Sequence, residues 1–487
     1  MATTNNFALD LLLVAIVGLV AILSNRLTEK IAIPAPTFFL VGAAVVVNAF
    51  PHLRVGSSTV ERVVTVALLC ILFDGGLHLG WRRLRPVLGA VTVVGVLGTF
   101  LTVLVLAVVL VVFLKLSWFA SFVLATAIAP TDPAVVFSVL GRRELQGRAG
   151  TILEGESGAN DPVGIALMVS LLGAGSVSLS AITSVGLSFV VEMVVGAAVG
   201  IIGGRILIAF MRRVSLPSES LYPLRTVAVM LLVYGLATLL HGSGFLAVFV
   251  AGISLGDARA PFKVEVERFH GALASLSEIV AFIVLGLTVN LTELERLDVW
   301  LPGVLLGLVL GYLLRPLVVG LCLAPFRLSS SQRNFVLFSG LKGAVPILLG
   351  TYLLADHVAQ GARFYGIIVI VVVVSVVVQG SSVPLLARWL RVPMRRVDIE
   401  PWALGVRLTD EPEDVHHFTV EAGSKAAGTT ISQLVLLPSD AWISLIVRDG
   451  QAISARGTTE LRAGDDVLVL ADAKDHDLLT SYFKAQS

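Results

Sequence analysis

Charge is what this sequence has least of. Aspartate, glutamate, lysine and arginine make up 14% of its 487 residues, against about 25% in a soluble globular domain. That shortage excludes a chain that is soluble throughout. No basic block points to a nucleic-acid partner, and the formal net charge is only +1. Cysteine is rarer still. Cys70 and Cys322 both sit in apolar stretches. They are too few for a disulfide framework or a zinc site, and read as buried thiols. Before residue 30 there is neither a basic run nor a small-residue cleavage site, so the first apolar stretch reads as a retained helix and not a signal peptide.

What is abundant is apolar surface: 56% of residues are hydrophobic and the mean hydropathy is +0.92. It fills most of the first 395 residues and gives way to an ordinary soluble composition over the last 90 or so. A spanning helix needs about 20 mostly apolar residues. Thirteen candidates run roughly 7–24, 31–50, 60–79, 86–114, 118–140, 153–173, 180–210, 222–240, 244–256, 270–289, 297–324, 334–354 and 364–387. The ninth is the weakest, being short and preceded by His241-Gly-Ser-Gly.

Basic residues in short loops stay on the cytoplasmic side. With the N-terminus outside, the predicted inner loops hold Arg26 and Lys30; Arg82, Arg83 and Arg85; Arg142, Arg143 and Arg148; Arg212 and Arg213; Arg259, Lys263 and Arg268; Arg327 and Arg333; and Arg388, Arg391, Arg395 and Arg396. The outer loops hold only Arg54, Lys115, Arg296 and Arg363, so the division is nineteen to four. An odd span number with an inward C-terminus is the expectation, in a multi-pass protein whose surroundings are membrane lipid.

Six candidates, one long connector and six more suggest an inverted repeat, a design that places discontinuous helices near the midplane. The fifth and twelfth candidates hold matching positions and both are interrupted, by Ala129-Pro-Thr-Asp-Pro133 and by Gly340-Leu-Lys-Gly-Ala-Val-Pro346. Proline removes a backbone donor and frees a carbonyl one turn earlier. Freed backbone at membrane depth is tolerated where it lines a cavity or is buried in protein. The fold class is therefore an all-α polytopic membrane protein of about thirteen helices, in inverted repeats with crossed discontinuous helices, followed by a small α/β domain.

Ionisable residues at membrane depth cost roughly 2.5–3.5 kcal/mol on insertion scales and mark function by default. Asp74 lies in Leu72-Phe-Asp-Gly-Gly76, Asp132 in the first break, and Glu154-Gly-Glu-Ser-Gly-Ala-Asn-Asp-Pro162 in the sixth candidate, with Glu278, Arg315 and Lys342 further on. Asp10, at the start of the first candidate, reads as incidental. Ser157 and Asp161 are four apart and share a helix face, while Glu156 and Asn160 share the neighbouring one. The first face offers a hydroxyl and a carboxylate. The second suits a partner cation, Arg315 or Lys342. Na⁺ and K⁺ are hard cations that prefer oxygen ligands. Asp161, Asp132, Ser157 and a freed carbonyl near Thr131 would supply them. A carboxylate partly removed from water can exchange a proton for a metal ion near neutral pH. The blander reading, in which Asp132 and Asp161 merely cap broken helices or bond nearby hydroxyls, stands beside it. For Glu156 a structural ion pair is the better reading. Gly196, Gly200 and Gly204 have the small-xxx-small spacing of close helix packing.

These residues resemble the cation:proton antiporter-1 family. The run Glu154–Pro162 is similar to its Asn-Asp signature, and Phe73-Asp-Gly-Gly76, Thr131-Asp-Pro133 and Gly340-Leu-Lys-Gly-Ala-Val345 fall in the expected order. The resemblance covers roughly residues 7–390. It implies that Asp161 is the ion and proton carrier, that Asp132 is the aspartate of the crossing helix, that Ser157 is the signature serine, and that Asp74 is the acidic residue of the third span. Members with Asn-Asp are generally electroneutral. Lys342 departs from the family, which usually has arginine there. Lysine lacks a bidentate fork, so the partner of Glu156 stays open between Arg315 and Lys342.

Residues 396–414 read as an acidic, proline-containing linker that separates a transmembrane domain, 1–395, from a cytoplasmic domain, 415–487. Beyond the linker come strand-like runs at 415–420, 442–447, 451–454 and 466–470, with turn signals at Asp449-Gly450 and Ala463-Gly-Asp465, and a helix at 475–484. Leu437-Pro, Ile443–Gly450 and Leu461–Leu468 together resemble the TrkA C-terminal domain of potassium-conductance regulators. That implies a homodimer and a small-molecule or nucleotide ligand on the tail. No Gly-x-Gly-x-x-Gly follows a strand here, so gating through a dinucleotide-binding half is not expected, and no cofactor is.

The combined reading is a K⁺ (or Na⁺)/proton antiporter of a bacterial plasma membrane, similar to the NhaP branch, and no enzyme. A Na⁺-selective antiporter is the nearest alternative. An intramembrane aspartyl protease would need a Gly-x-Gly-Asp pattern, which is absent, and a gated K⁺ channel would need a selectivity filter.

Overall fold

The computed structural model describes residues 18–19, 34–140, 143–145, 147–176, 179–396, 414–434, 441–448, 451–471 and 475–485. It divides into two units, Met1–Asp398 and Ile399–Ser487. The first candidate span, apart from residues 18–19, lies outside the described residues, as do Asp10, Arg26, Lys30, Arg142, nearly all of the linker, Leu437-Pro438 and Asp449-Gly450.

The first unit is built of helices. The ones that position the site are α1 (Ser57–Leu84), α2 (Trp118–Ile128), α3 (Pro133–Leu140), α4 (Arg148–Ala174), α5 (Leu179–Arg213), α6 (Gly244–Gly256), α7 (Lys263–Gly286), α8 (Arg315–Leu323), α9 (Ser330–Phe338) and α10 (Ala344–Ala355). Serine caps start several of them. Ser117, Ser243 and Ser329 each accept a hydrogen bond, at 3.3 Å, from an amide in the first turn that follows, satisfying a donor that the helix leaves orphaned.

Among the described residues seven helical stretches are long and apolar enough to cross a membrane by themselves: Ser57–Leu114, Trp118–Leu140, Thr183–Arg213, Leu221–Leu239, Lys263–Gly286, Leu297–Leu323 and Gly361–Trp389. Ala35–Ala49, Gly244–Gly256 and Ala344–Ala355 are shorter apolar helices. Several of the thirteen candidates are not single uninterrupted apolar helices, for physical reasons. Candidates 60–79 and 86–114 share one 58-residue stretch, within which Gly80 turns the chain at φ 57°. Candidate 153–173 is α4, in which Asn160, Asp161 and many small residues dilute the apolar character. Candidate 334–354 is split into α9 and α10 by residues 339–343. Its partner at 118–140 is split likewise into α2 and α3.

The connector α5 lies directly on α6. A Cβ on Gly196 would meet the Ser243 carbonyl at 2.6 Å, and one on Gly200 would meet the Ala247 carbonyl at 2.5 Å. The small-residue spacing is therefore a helix crossing. A two-stranded antiparallel ladder was not legible in the sequence. β1 (Arg143–Leu145), between α3 and α4, pairs with β2 (Met394–Arg396), with Leu145 opposite Met394 and Arg143 opposite Arg396. Pairing over three residues is too short to leave an alternating pattern.

In the second unit, β3 (Asp414–Thr419), β4 (Trp442–Arg448), β5 (Gln451–Ile453) and β6 (Asp466–Ala471) form an antiparallel sheet in the order β3-β6-β4-β5. The helix α11 (His476–Phe483) closes the core, where Ile446, Val467, Val469, Leu479 and Phe483 are fully buried.

Candidate functional site

Two broken helices meet at the centre of the first unit. Pro133 fixes the first residue of α3, where a missing N–H costs nothing. Asp132 stands before it as the cap, its Oδ1 accepting from the Ala134 amide at 2.8 Å. The Asp132 amide in turn donates to the carbonyl of Leu341 in the opposite break, at 2.8 Å. Gly343 is required at this junction, because a Cβ there would run into the Asp132 carboxylate. Helix N-termini of α3 and α10 thus both begin at the crossing and present their positive dipole ends to it.

Lys342 joins the breaks from the other side. Its Nζ donates to the carbonyls of Ala129 at 2.7 Å and Pro130 at 3.1 Å. These are the backbone oxygens that the proline-rich break leaves without helical donors, so here the freed carbonyls hold an ammonium group. The Lys342 amide donates to Ser375 Oγ at 3.1 Å, Ser375 donates to Gln379 Oε1 at 3.2 Å, and Gln379 Nε2 reaches the Phe338 carbonyl at 2.8 Å. Ser375–Gln379 is a π-helical segment, of the kind that frequently marks functional sites. The sequence reading missed Ser375 and Gln379. Their only signal is that they are the polar residues of an otherwise all-valine run.

The helix α4 carries the acidic signature. Ser157 Oγ donates to Asp161 Oδ2 at 3.4 Å, as the four-residue spacing requires. Pro162 lies inside α4 and deprives the Gly158 carbonyl of its donor, next to the same two side chains. Asp161 is 7% exposed and within electrostatic reach of Asp132, Lys342 and Glu156. On the neighbouring face Asn160 Nδ2 donates to Thr131 Oγ1 at 2.8 Å, and Thr131 Oγ1 donates to Glu156 Oε1 at 3.3 Å. The Thr131 side chain therefore fastens α4 to the first break.

Glu156 pairs with Arg315. Nη1 and Nη2 donate to its two oxygens at 2.7 and 3.0 Å, and both side chains are buried. Nη2 also reaches the Val336 carbonyl at 3.4 Å. A Cβ on Gly340 would collide with the same guanidinium. The pair is bidentate, a geometry that lysine cannot provide. This settles the alternative that the sequence left open.

Asp74 sits elsewhere, on α1 beside His78, whose Nδ1 is 3.3 Å from its Oδ1. Among the described residues no hydrogen bond or ion pair joins Asp74 to Asp132 or Asp161. Glu278, on α7, has a buried Oε1 without a hydrogen-bond partner and lies within electrostatic reach of Asp132.

The family described as "Sodium/hydrogen exchanger, transmembrane" matches residues 12–389, and the TrkA-C domain matches residues 415–484. The chain is 31% identical over 473 residues to the K(+)/H(+) antiporter NhaP of Alkalimonas amylolytica, covering 96% of this chain and 82% of that protein. It is 30% identical over 476 residues to the K(+)/H(+) antiporter NhaP2 of Shewanella sp. (strain MR-4), with the same coverage. In three dimensions it is similar to the sodium proton antiporter MjNhaP1 of Methanocaldococcus jannaschii at pH 8, with a TM-score of 0.66 and 23% identity, over 78% of this chain and 99% of that one. The chain belongs to the sodium/hydrogen exchanger family, as a member that carries a TrkA-C domain behind its transmembrane unit.

Proposed function

We propose that the chain exchanges cytoplasmic K⁺ for external H⁺ across a bacterial plasma membrane, electroneutrally, with Asp161 binding proton and cation in turn. The family makes the chain a cation/proton antiporter and not an enzyme. The identity of the carrier rests on one observation: Asp161 is a buried carboxylate beside Ser157, at the crossing of two broken helices, and among the described residues no guanidinium or ammonium is bonded to it. Glu156 is neutralised by Arg315, and Lys342 is held by backbone carbonyls. When all five groups are ionised, Glu156, Asp132 and Asp161 against Arg315 and Lys342 leave one negative charge. Glu278, within electrostatic reach of Asp132, stands outside this count; for the five groups alone, one monovalent cation or one proton balances the charge, which supports one-for-one exchange.

Asp161, Asp132 and Ser157 are the proposed cation ligands, with Asp74 an outlying acidic group on the proton route. Thr131, Asn160, Glu156, Arg315 and Lys342 hold the geometry. The loop charges support an outward N-terminus and a cytoplasmic tail. A transmembrane domain at 1–395, a linker at 396–414 and a tail domain at 415–487 complete the proposal, with the tail dimerising and binding a small molecule or nucleotide. The preference for K⁺ over Na⁺ draws on the named activities of the NhaP and NhaP2 relatives. Proton release from everted vesicles on separate addition of K⁺, Na⁺ and Li⁺ tests it. K⁺ should give the largest response and Asp161→Asn none. A response to Na⁺ alone would replace the cation, and full activity in well-inserted Asp161→Asn would remove Asp161 from the mechanism.

A further inference from the structure

Four arginines from three segments distant in sequence converge on one cavity. It has a volume of about 520 Å3 and is lined by Arg82 and Arg83 at the end of α1, Pro86 and Val87, Leu145 of β1, Gly147, Arg148 and Thr151 at the start of α4, and Arg395 of β2. All four arginines are exposed. Among the described residues only Arg83 has a carboxylate partner, Glu154 at 3.5 Å. Arginine does not deprotonate to escape such crowding, so the cluster carries repulsion that a counter-charge would relieve.

Arg148 is placed unfavourably for its charge. It is the first residue of a 27-residue helix whose cap, Gly147, contributes no side-chain hydrogen bond. The first N–H groups and the positive dipole end favour an anion there and disfavour a cation. The preference for basic inner loops explains why arginines occur in these segments. It does not explain why three separate segments bring them to one cavity. Nor does it explain an arginine on a helix start.

We propose that this cavity binds a phosphate-bearing anion, the size of a phospholipid headgroup or a pyrophosphate. Paired arginine forks match phosphate oxygens bidentately, and the uncapped amides of α4 add donors of the kind that bind phosphate. The volume falls within the range of about 300–1,000 Å3 usual for small-ligand sites. The bound anion would staple α1, the start of α4, β1 and β2 together. Asp161 lies thirteen residues further along α4 from Arg148, about 20 Å at the rise of a helix. β2 is the last described strand before the tail. The staple would therefore link the carrier helix to the segment that leads to the tail domain.

The test uses the purified full-length protein in a zwitterionic detergent, with melting temperature followed during separate titrations of inorganic pyrophosphate, short-chain phosphatidylglycerol and short-chain phosphatidylcholine. At least one of the two anionic compounds should raise the melting temperature saturably, and phosphatidylcholine should not. A shift with phosphatidylglycerol alone assigns the anion to the membrane, and one with pyrophosphate assigns it to solution. Arg148→Gln combined with Arg395→Gln should weaken the response at least tenfold. The corresponding lysine pair should keep most of it, and Lys115→Gln, outside the cavity, all of it. If neither anion acts, or if the glutamine pair binds like the parent protein, the site does not exist.

Discussion

The amide of Asp132 donates to the carbonyl of Leu341 at 2.8 Å, so the two interrupted helices are joined backbone to backbone at the point where each gives up its own hydrogen bonds. Neither break is a loose loop. The two exchange donors and acceptors with each other, which is the condition for irregular backbone deep in a membrane protein.

Gly343→Ala should disable transport out of proportion to the size of the change. Its methyl group would occupy the space of the Asp132 carboxylate, and a displacement of about 1 Å at a reacting group can cost roughly a hundredfold. The cation concentration for half-maximal proton release should rise strongly, with normal insertion. Unchanged cation dependence would mean that Asp132 is not a ligand.

Glu156→Gln should chiefly destabilise the protein. It leaves Arg315 buried without its counter-charge, at a typical cost of roughly 3–5 kcal/mol. Glu156→Gln with Arg315→Met, which removes both charges, should recover much of the melting temperature in detergent. A single variant that melts normally but does not transport would give Glu156 a role in exchange.

The parts of this site that were legible in the sequence are those set by local geometry. Ser157 and Asp161 meet because four residues return to one helix face, and Asp132 and Pro133 announce a helix start by type alone. The partner of Glu156 was not legible. Arg315 lies 159 residues away, and Lys342 was an equal candidate until three-dimensional packing placed its ammonium on Ala129 and Pro130. Spacing also suggested that carbonyls freed at the break would face an ion, since it indicates where a donor is missing and not what replaces it. Length and hydropathy single out fewer unbroken spans than the candidates for a related reason. α4 is largely shielded by other helices and does not need the apolar character of a lipid-facing helix.

In the tail domain the Asp465 carboxylate accepts from Arg448 Nε and Nη2 and from the Arg462 amide, all at 2.7 Å. The Arg448 bonds hold its carboxyl below the usual carboxylate range. A depressed carboxyl contributes stability above the unfolded pKa of about 3.9 and loses it as pH falls through the lower folded value. The domain should therefore keep this contribution at pH 5 and lose it on acidification below about 4. Asp465→Asn should cost about 1.5–3 kcal/mol at neutral pH, seen as faster amide exchange in β4 and β6 with unchanged exchange around α4. Equal protection in the variant would show that the three bonds are energetically idle.

Removing residues 400–487 should leave transport and alter its control. Every proposed cation ligand lies in the first unit, Met1–Asp398, and the TrkA-C match begins only at residue 415. A ligand on the tail can act only by binding one transporter state better than another. Truncation should therefore shift the pH or ligand dependence of proton flux and leave the order of cation preference intact. The measurement is proton flux in everted vesicles across pH, for full-length and truncated protein at equal expression, with each cation in turn. A changed preference between K⁺ and Na⁺ would place the tail in the ion path, since selectivity depends on the geometry of the ligand oxygens alone. Unchanged flux at every pH and with every nucleotide would make the tail an assembly device, and its effect would then appear in the oligomeric state of the purified protein.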